Sequence, residues 1–158
     1  MVRIEDHRLI TGKGKFTANI RLTEALVVKF VRSPIACGVI RSIDIRDAKS
    51  MPGVVNIFTA QDMAADGVTH MLDTAKPVRD DGGTVINPRR PILNSSDIKH
   101  LGEPIAIIIA QTSEQADNAL EAIFVDYSDS DSALLSSENT DSPLVWPEGQ
   151  DNYASYHH

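Results

Sequence analysis

Asp97, His100 and Glu103 are the residues whose types and spacing come nearest to acid–base chemistry. They stand three apart, just ahead of the apolar run Ile105–Ala110. A carboxyl group drawn into a buried sheet has its charged form disfavoured, and a pKa raised in that way suits a general base. A plainer reading competes with this one. Glu103, between Gly102 and Pro104, accepts hydrogen bonds from backbone donors at a strand entrance. The plainer reading is preferred, because a catalytic site needs several polar side chains converging on one pocket.

The remaining chemistry-bearing residues are scattered. The five histidines, His7, His70, His100, His157 and His158, form no H-x-x-x-H pair, and Cys37 has no second cysteine to complete a zinc half-site. Adjacent histidines such as His157 and His158 bind metal weakly. Gly12-Lys13-Gly14-Lys15 has the composition of a phosphate loop, but no strand leads into it and no helix is expected after it. Arg89-Arg90 is a plausible anion contact or a solvated pair. There is no G-x-S-x-G elbow, P-loop or G-x-G-x-x-G fingerprint. Residue chemistry alone therefore assigns no catalytic, cofactor-binding or metal-binding residue.

The elements that would position these groups are easier to read. The first twelve residues are polar and irregular. Leu26–Arg32 and Val39–Ile45 are rich in β-branched residues and read as strands broken by Ser33-Pro34. A short helix over Ala48–Met51, capped by Asp44 or Asp47 and ended by Pro52-Gly53, leads to a strand over Val54–Phe58. From Asp62 to Ser96 the chain carries Gly67, Pro77, Gly82-Gly83, Pro88 and Pro91 and reads as a long loop, with short strands near Thr84–Ile86 and Pro91–Leu93. The continuous run Ile105–Ala110 predicts a strand buried on both faces. Thr112 and Gln115 form a capping box, and Ala116, Ala119, Leu120 and Ile123 place one apolar stripe on the helix that follows. Phe124–Tyr127 begins a further strand. The prediction is an α+β domain: a mixed sheet with two strand–helix–strand units and a long irregular insertion. Residues 1–142 form the domain, and 143–158 form a tail or linker after the Ser- and Asp-rich stretch Ser128–Ser142.

Composition narrows the function classes. The 158 residues are 42% hydrophobic and 23% charged, ordinary values for a soluble domain. The net charge is −7, yet residues 1–50 hold ten Lys/Arg against five Asp/Glu, and residues 51–158 hold five against seventeen. An acidic whole argues against nucleic acid as the main partner, while the basic first third suits an acidic partner surface. No apolar run approaches the roughly 20 residues needed to span a bilayer. The opening MVRIEDHRLI lacks the apolar core of a secretory signal, and a lone Cys37 suits a reducing, cytoplasmic setting.

Short motifs taken in order carry more than any one of them. R-I-E-D-H-R-L-I-T-G-K-G-K-F (Arg3–Phe16) is followed by F-V-R-S-P-I-A (Phe30–Ala36), I-R-S-I-D (Ile40–Asp44), M-P-G-V-V (Met51–Val55) and T-A-Q-D (Thr59–Asp62). Then come L-G-E-P-I-A (Leu101–Ala106), Q-T-S-E-Q-A-D-N-A (Gln111–Ala119), V-D-Y (Val125–Tyr127) and L-V-W (Leu144–Trp146). This order resembles the start of the large subunit of molybdenum hydroxylases, the superfamily of xanthine oxidase, aldehyde oxidase and aerobic carbon monoxide dehydrogenase. The resemblance spans nearly the whole chain and implies an α/β hammerhead fold.

The resemblance also implies a setting. Such large subunits bind a molybdopterin cofactor and hydroxylate an aldehyde, an N-heterocycle or carbon monoxide. Electrons leave through two [2Fe–2S] clusters, usually to FAD. The pterin-binding loops and the catalytic glutamate belong to later domains, so no molybdenum ligand, cluster ligand or catalytic base is carried over. The carried positions are structural. Gly12 and Gly14 shape the opening loop, Ser33-Pro34 breaks the first strand, Pro52-Gly53 ends the short helix, and Gly102, Glu103 and Pro104 turn the chain into the central strand. The partners implied are the pterin-binding domains, an iron–sulfur subunit and an FAD subunit. The sequence departs from the family pattern at Ala18-Asn19, at Ile35 and Cys37, and at Ser128-Asp129-Ser130. Two other functions remain open: a free-standing small-molecule binder using the Leu101–Pro104 turn and the long loop, and an acid–base enzyme around His100 and Glu103.

Overall fold

The computed structural model describes residues 3–20, 22–68, 70–71, 78–83, 85, 87–133 and 142–153. Ten elements run in chain order through them. They are α1 (Asp6–Ile10), β1 (Val27–Arg32), β2 (Gly38–Asp44), α2 (Arg46–Lys49), β3 (Val54–Thr59), α3 (Ala60–Ala65), β4 (Asp97–Ile98), β5 (Pro104–Ala110), α4 (Ser113–Glu121) and β6 (Phe124–Asp129). A single 3-10 turn at Thr17–Asn19 lies between α1 and β1.

The α+β class holds, but in place of the expected mixed sheet the described residues form two antiparallel ones, ordered β1-β5-β3 and β4-β2-β6. The reason lies in the two strand–helix–strand units. The first runs β2–α2–β3 and the second β5–α4–β6, and each hands the chain from one sheet to the other. Neither crossover therefore returns to make a parallel neighbour, and each strand pairs with an antiparallel one.

The core lies under α4. Thr112 caps this helix: its hydroxyl accepts from the Gln115 N–H at 3.2 Å, and Gln115 Oε1 accepts from the Thr112 N–H at 3.1 Å. Of the expected stripe, Ala116 and Ala119 are fully buried, while Leu120 and Ile123 pack on the margin. Small residues let the helix lie close on the sheet, against Ile57, Ala106, Ile108 and Ala110. Lys29 of β1 and Asp117 of α4 form an ion pair across this layer.

Pairing register sorts the two faces of the sheet. Lys29, Ile108 and Ile57 share the inner face; Phe30, Ile107 and Phe58 share the outer one, followed by Val28, Ile109 and Asn56. The central strand was expected to be buried on both faces. Instead Ile107 and Ile109 are half-buried, and Val28 and Phe30 beside them are 51% and 39% exposed.

Local signals explain the elements that were not expected. In Thr59-x-x-Asp62 the Asp62 carboxylate accepts from both the backbone N–H and the hydroxyl of Thr59, each at 2.7 Å, and starts α3, which runs on into the stretch read as loop. Those two bonds, the backbone one foremost, hold the Asp62 carboxyl below its ordinary pKa. β4 is only two residues long and exists because Gly38 and Val39 offer it an edge. α1 buries none of its residues. Thr84 and Ile86 lie outside the described residues, and Pro91 makes only an isolated bridge with His70.

Gly53 sits at a tightly packed turn. Met51-Pro52-Gly53-Val54 is a turn closed by the Val54 N–H on the Met51 carbonyl at 3.2 Å, with Gly53 at φ +81°. A Cβ there would lie 2.1 Å from the Gln115 side chain, which is held by the α4 cap. Gly53→Ala is therefore expected to cost about 2–3 kcal/mol, combining left-handed strain with loss of the cap. Urea unfolding of Gly53→Ala, Gln115→Ala and the double variant checks this. The double variant should cost less than the sum of the singles, and a neutral Gly53→Ala would refute the contact.

Candidate functional site

The three buried polar residues among those described, Ser33, Asn94 and Glu103, meet at one place, where β5 begins. Two backbone bonds bring the β1–β2 connection to this turn: the Ser33 N–H donates to the Glu103 carbonyl and the Gly102 N–H to the Ser33 carbonyl, both at 2.9 Å. The Asn94 N–H reaches the Pro104 carbonyl at 2.8 Å from the other side. Gly102, at φ +79°, lets the chain reverse here.

Side chains complete the node. Glu103 Oε1 accepts from Asn94 Nδ2 and Oε2 from the Lys99 N–H, both at 2.8 Å. Asn94 also donates to the Asp97 carbonyl at 2.7 Å, and its Oδ1 accepts from the Ser96 N–H at 2.8 Å. The Ser33 hydroxyl donates to the Ile35 carbonyl at 2.8 Å, and Arg32 donates to the Gly102 carbonyl at 2.8 Å. Both carboxylate oxygens of Glu103 are thus engaged, one by a backbone N–H and the other by the Asn94 amide, as buried polar groups generally are.

The alternative acid–base trio does not assemble. Asp97 is exposed on β4, and exposed His100 places Nδ1 3.1 Å from the carbonyl of its neighbour Leu101; its bond with Glu103 is between backbones, the Glu103 N–H on the His100 carbonyl at 3.4 Å. Among the described residues no three His, Cys, Asp or Glu side chains come close enough to hold a metal ion. They do not fit a molybdenum or iron–sulfur centre. Cys37 is half-buried, and His157 and His158 lie outside the described residues.

The other carried positions are placed as follows. Gly12 ends α1 at φ +69°, with its N–H on Leu9 and that of Lys13 on Arg8. Gly14 passes so close to Leu9 that a Cβ would lie 2.9 Å from Cδ2. Pro34 sits exposed in the bend after β1, and half-buried Pro104 is the first residue of β5. At the positions that depart from the family pattern, Asn19 accepts from the Phe16 N–H at 3.0 Å and Ser128 accepts from Arg41 at 3.0 Å.

An open groove of about 390 Å³ lies between β2 and the start of α3, lined by Ile40, Arg41, Ser42, Thr59 and Asp62 among others. Its charged groups are already engaged, Arg41 with Ser128 and Asp62 with Thr59. It presents no convergent set for chemistry.

Sequence reasoning missed Arg79. Its side chain is 2% exposed and lies between Asp81 and Asp151. These bonds pull Asp81 down to about 2, lower Asp151 and raise Arg79. The local half was readable in Arg79-Asp80-Asp81-Gly82-Gly83, but Asp151 is 72 residues away. Arg89 and Arg90, the pair singled out instead, are exposed.

Residues 11–131 match the family model for the aldehyde oxidase and xanthine dehydrogenase a/b hammerhead domain. The nicotine 6-hydroxylase large subunit of Paenarthrobacter nicotinovorans is 30% identical over 77% of this chain and 14% of its own length. The xanthine dehydrogenase molybdenum-binding subunit of Escherichia coli O157:H7 is 29% identical over 80% of this chain and 16% of its own length. Among solved structures, quinoline 2-oxidoreductase from Pseudomonas putida 86 superposes with a TM-score of 0.70. It is 31% identical, over 82% of this chain and 16% of that one. Carbon monoxide dehydrogenase from Oligotropha carboxidovorans gives a TM-score of 0.67 at 27% identity, over 91% of this chain and 17% of that one. The chain thus spans about one-seventh of the length of the curated relatives it matches.

Proposed function

The chain belongs to the aldehyde oxidase and xanthine dehydrogenase a/b hammerhead domain family, and from that premise we propose that it is an assembly module of a molybdenum hydroxylase. It packs against the pterin-binding domains and an iron–sulfur protein and does not turn over substrate alone. In the complete oxidoreductase, molybdopterin, [2Fe–2S] clusters and FAD carry the redox chemistry, and this chain supplies packing surface. Residues 1–142 are the hammerhead module, and a cytoplasmic setting suits its single Cys37. No helix among the described residues is long and apolar enough to cross a membrane.

The observation that carries this reading is the outer face of the β1-β5-β3 sheet. A water-facing side of an antiparallel sheet alternates to polar residues. Here the outward positions are Val28, Phe30, Phe58, Ile107 and Ile109, with Asn56 the polar side chain among them. The opening segment adds Ile10, Phe16 and Ile20, each more than 60% exposed. Apolar surface of this kind suits another protein layer.

The test is co-expression of the chain with the pterin-binding polypeptide and the iron–sulfur protein, followed by gel filtration and dye-linked turnover of aldehydes and N-heterocycles. The chain is expected to co-elute with the partners and to show no turnover when purified alone. Hydroxylation by the isolated chain would refute the proposal.

A further inference from the structure

We infer that residues 142–153 form a strap, and that Arg79 clamps it across the 78–83 segment of the insertion. The family match ends at residue 131, so the strap lies beyond it and Arg79 within it. The inference stands on the chain's own contacts and does not depend on the assembly reading.

The guanidinium of Arg79 uses all five of its N–H donors. Nε donates to Asp81 Oδ1 at 3.0 Å and one terminal nitrogen to Asp81 Oδ2 at 2.6 Å. That same nitrogen donates to Asp151 Oδ2 at 2.9 Å, and the other reaches Asp151 Oδ1 at 2.7 Å and the Tyr153 carbonyl at 3.0 Å. Each carboxylate is held at two points, the geometry that makes arginine pairs specific. Each carboxylate also organises its own turn: Asp81 accepts from the Gly83 N–H at 3.0 Å and Asp151 from the Tyr153 N–H at 2.9 Å. A saturated arginine has no donor left for a ligand, so its work is mechanical.

The strap is knit internally and fastened a second time. Asn152 donates to the Pro143 carbonyl at 3.0 Å and accepts from the Val145 N–H at 2.9 Å, closing the segment on itself. Lys99, beside the Glu103 node, sits 5.3 Å from the centre of the Trp146 ring. Gly83 lies where a Cβ would meet both Arg79 and Gln150 at 2.5–2.6 Å, so insertion and strap are in close contact. Neither 78–83 nor 142–153 contains a strand of either sheet. The clamp joins two segments that lie outside the named strands of both sheets.

Trp146 is the only tryptophan, so its fluorescence reports on the strap. Arg79→Met, Arg79→Lys and Asp151→Asn in the full chain should each raise acrylamide quenching of Trp146 at least about twofold. Arg79→Lys belongs with the others because one ammonium cannot fork to two carboxylates. The strand signal in circular dichroism should stay intact, and the Gly83 amide should exchange at least about tenfold faster. Unchanged quenching in Arg79→Met and Asp151→Asn would overturn the inference, as would quenching that rises only in step with loss of strand signal. If Arg79→Met fails to fold, Asp151→Asn, which keeps the volume, decides the matter on the same readouts.

Discussion

Glu103→Ala is expected to destabilise the domain by about 3 kcal/mol, a fall in melting temperature of roughly 6–12 °C for a chain of this size. The estimate follows from what the carboxylate holds. Removing it strands the part-buried Lys99 N–H and one donor of buried Asn94, and a donor left without a partner away from water costs about 1–3 kcal/mol. Glu103→Gln should lie between wild type and Glu103→Ala. Its amide offers one acceptor where two donors converge, so one contact turns repulsive. The pair of variants also separates a structural glutamate from a general base, because exchanging a base for its amide would spare the fold. Thermal and urea unfolding measure the effect. A Glu103→Ala variant within about 0.5 kcal/mol of wild type would contradict the structural role.

Features set by short-range chemistry were legible in the sequence. The Thr112/Gln115 box and the alanine stripe of α4 depend on residues three and four apart, and the structure places them as read. The run Ile105–Ala110 announced a central strand through composition alone. The Thr59/Asp62 box was equally local, yet the proline- and glycine-rich stretch after it masked the single helical turn it starts. Distant partners left no trace. β4 is a strand only because Gly38 and Val39 lie opposite it, and the outward face of β5 is known to be open only once β1 and β3 are seen to flank it. Glu103 could be placed at a strand entrance from its neighbours Gly102 and Pro104, but Asn94 and Ser33, which complete the node, come from segments with no periodic signal. Arg79 went unread because half its partners lie at the far end of the chain.

The second large effect is expected at the open sheet face. Val28 and Phe30 project from β1 away from α4 and are substantially exposed in the isolated domain. Val28→Asp/Phe30→Asp should therefore fold, with a stability loss on the order of 1 kcal/mol, the span of strand preference at exposed positions. The same carboxylates inside a dry interface would be unpaired buried charges, costing about 3–5 kcal/mol. That corresponds to affinity weaker by roughly a hundredfold to several thousandfold. Arg32 lies near Phe30, 5.3 Å from its ring, and is already engaged with the Gly102 carbonyl, so it offsets little of this cost.

Gel filtration of this double variant, co-expressed with the pterin-binding polypeptide and the iron–sulfur protein, tests the assembly role most directly. The wild-type chain is expected to elute with its partners, and the variant alone and folded, with a melting temperature within about 4 °C of wild type. Co-elution of the folded variant as complete as that of wild type would contradict the account.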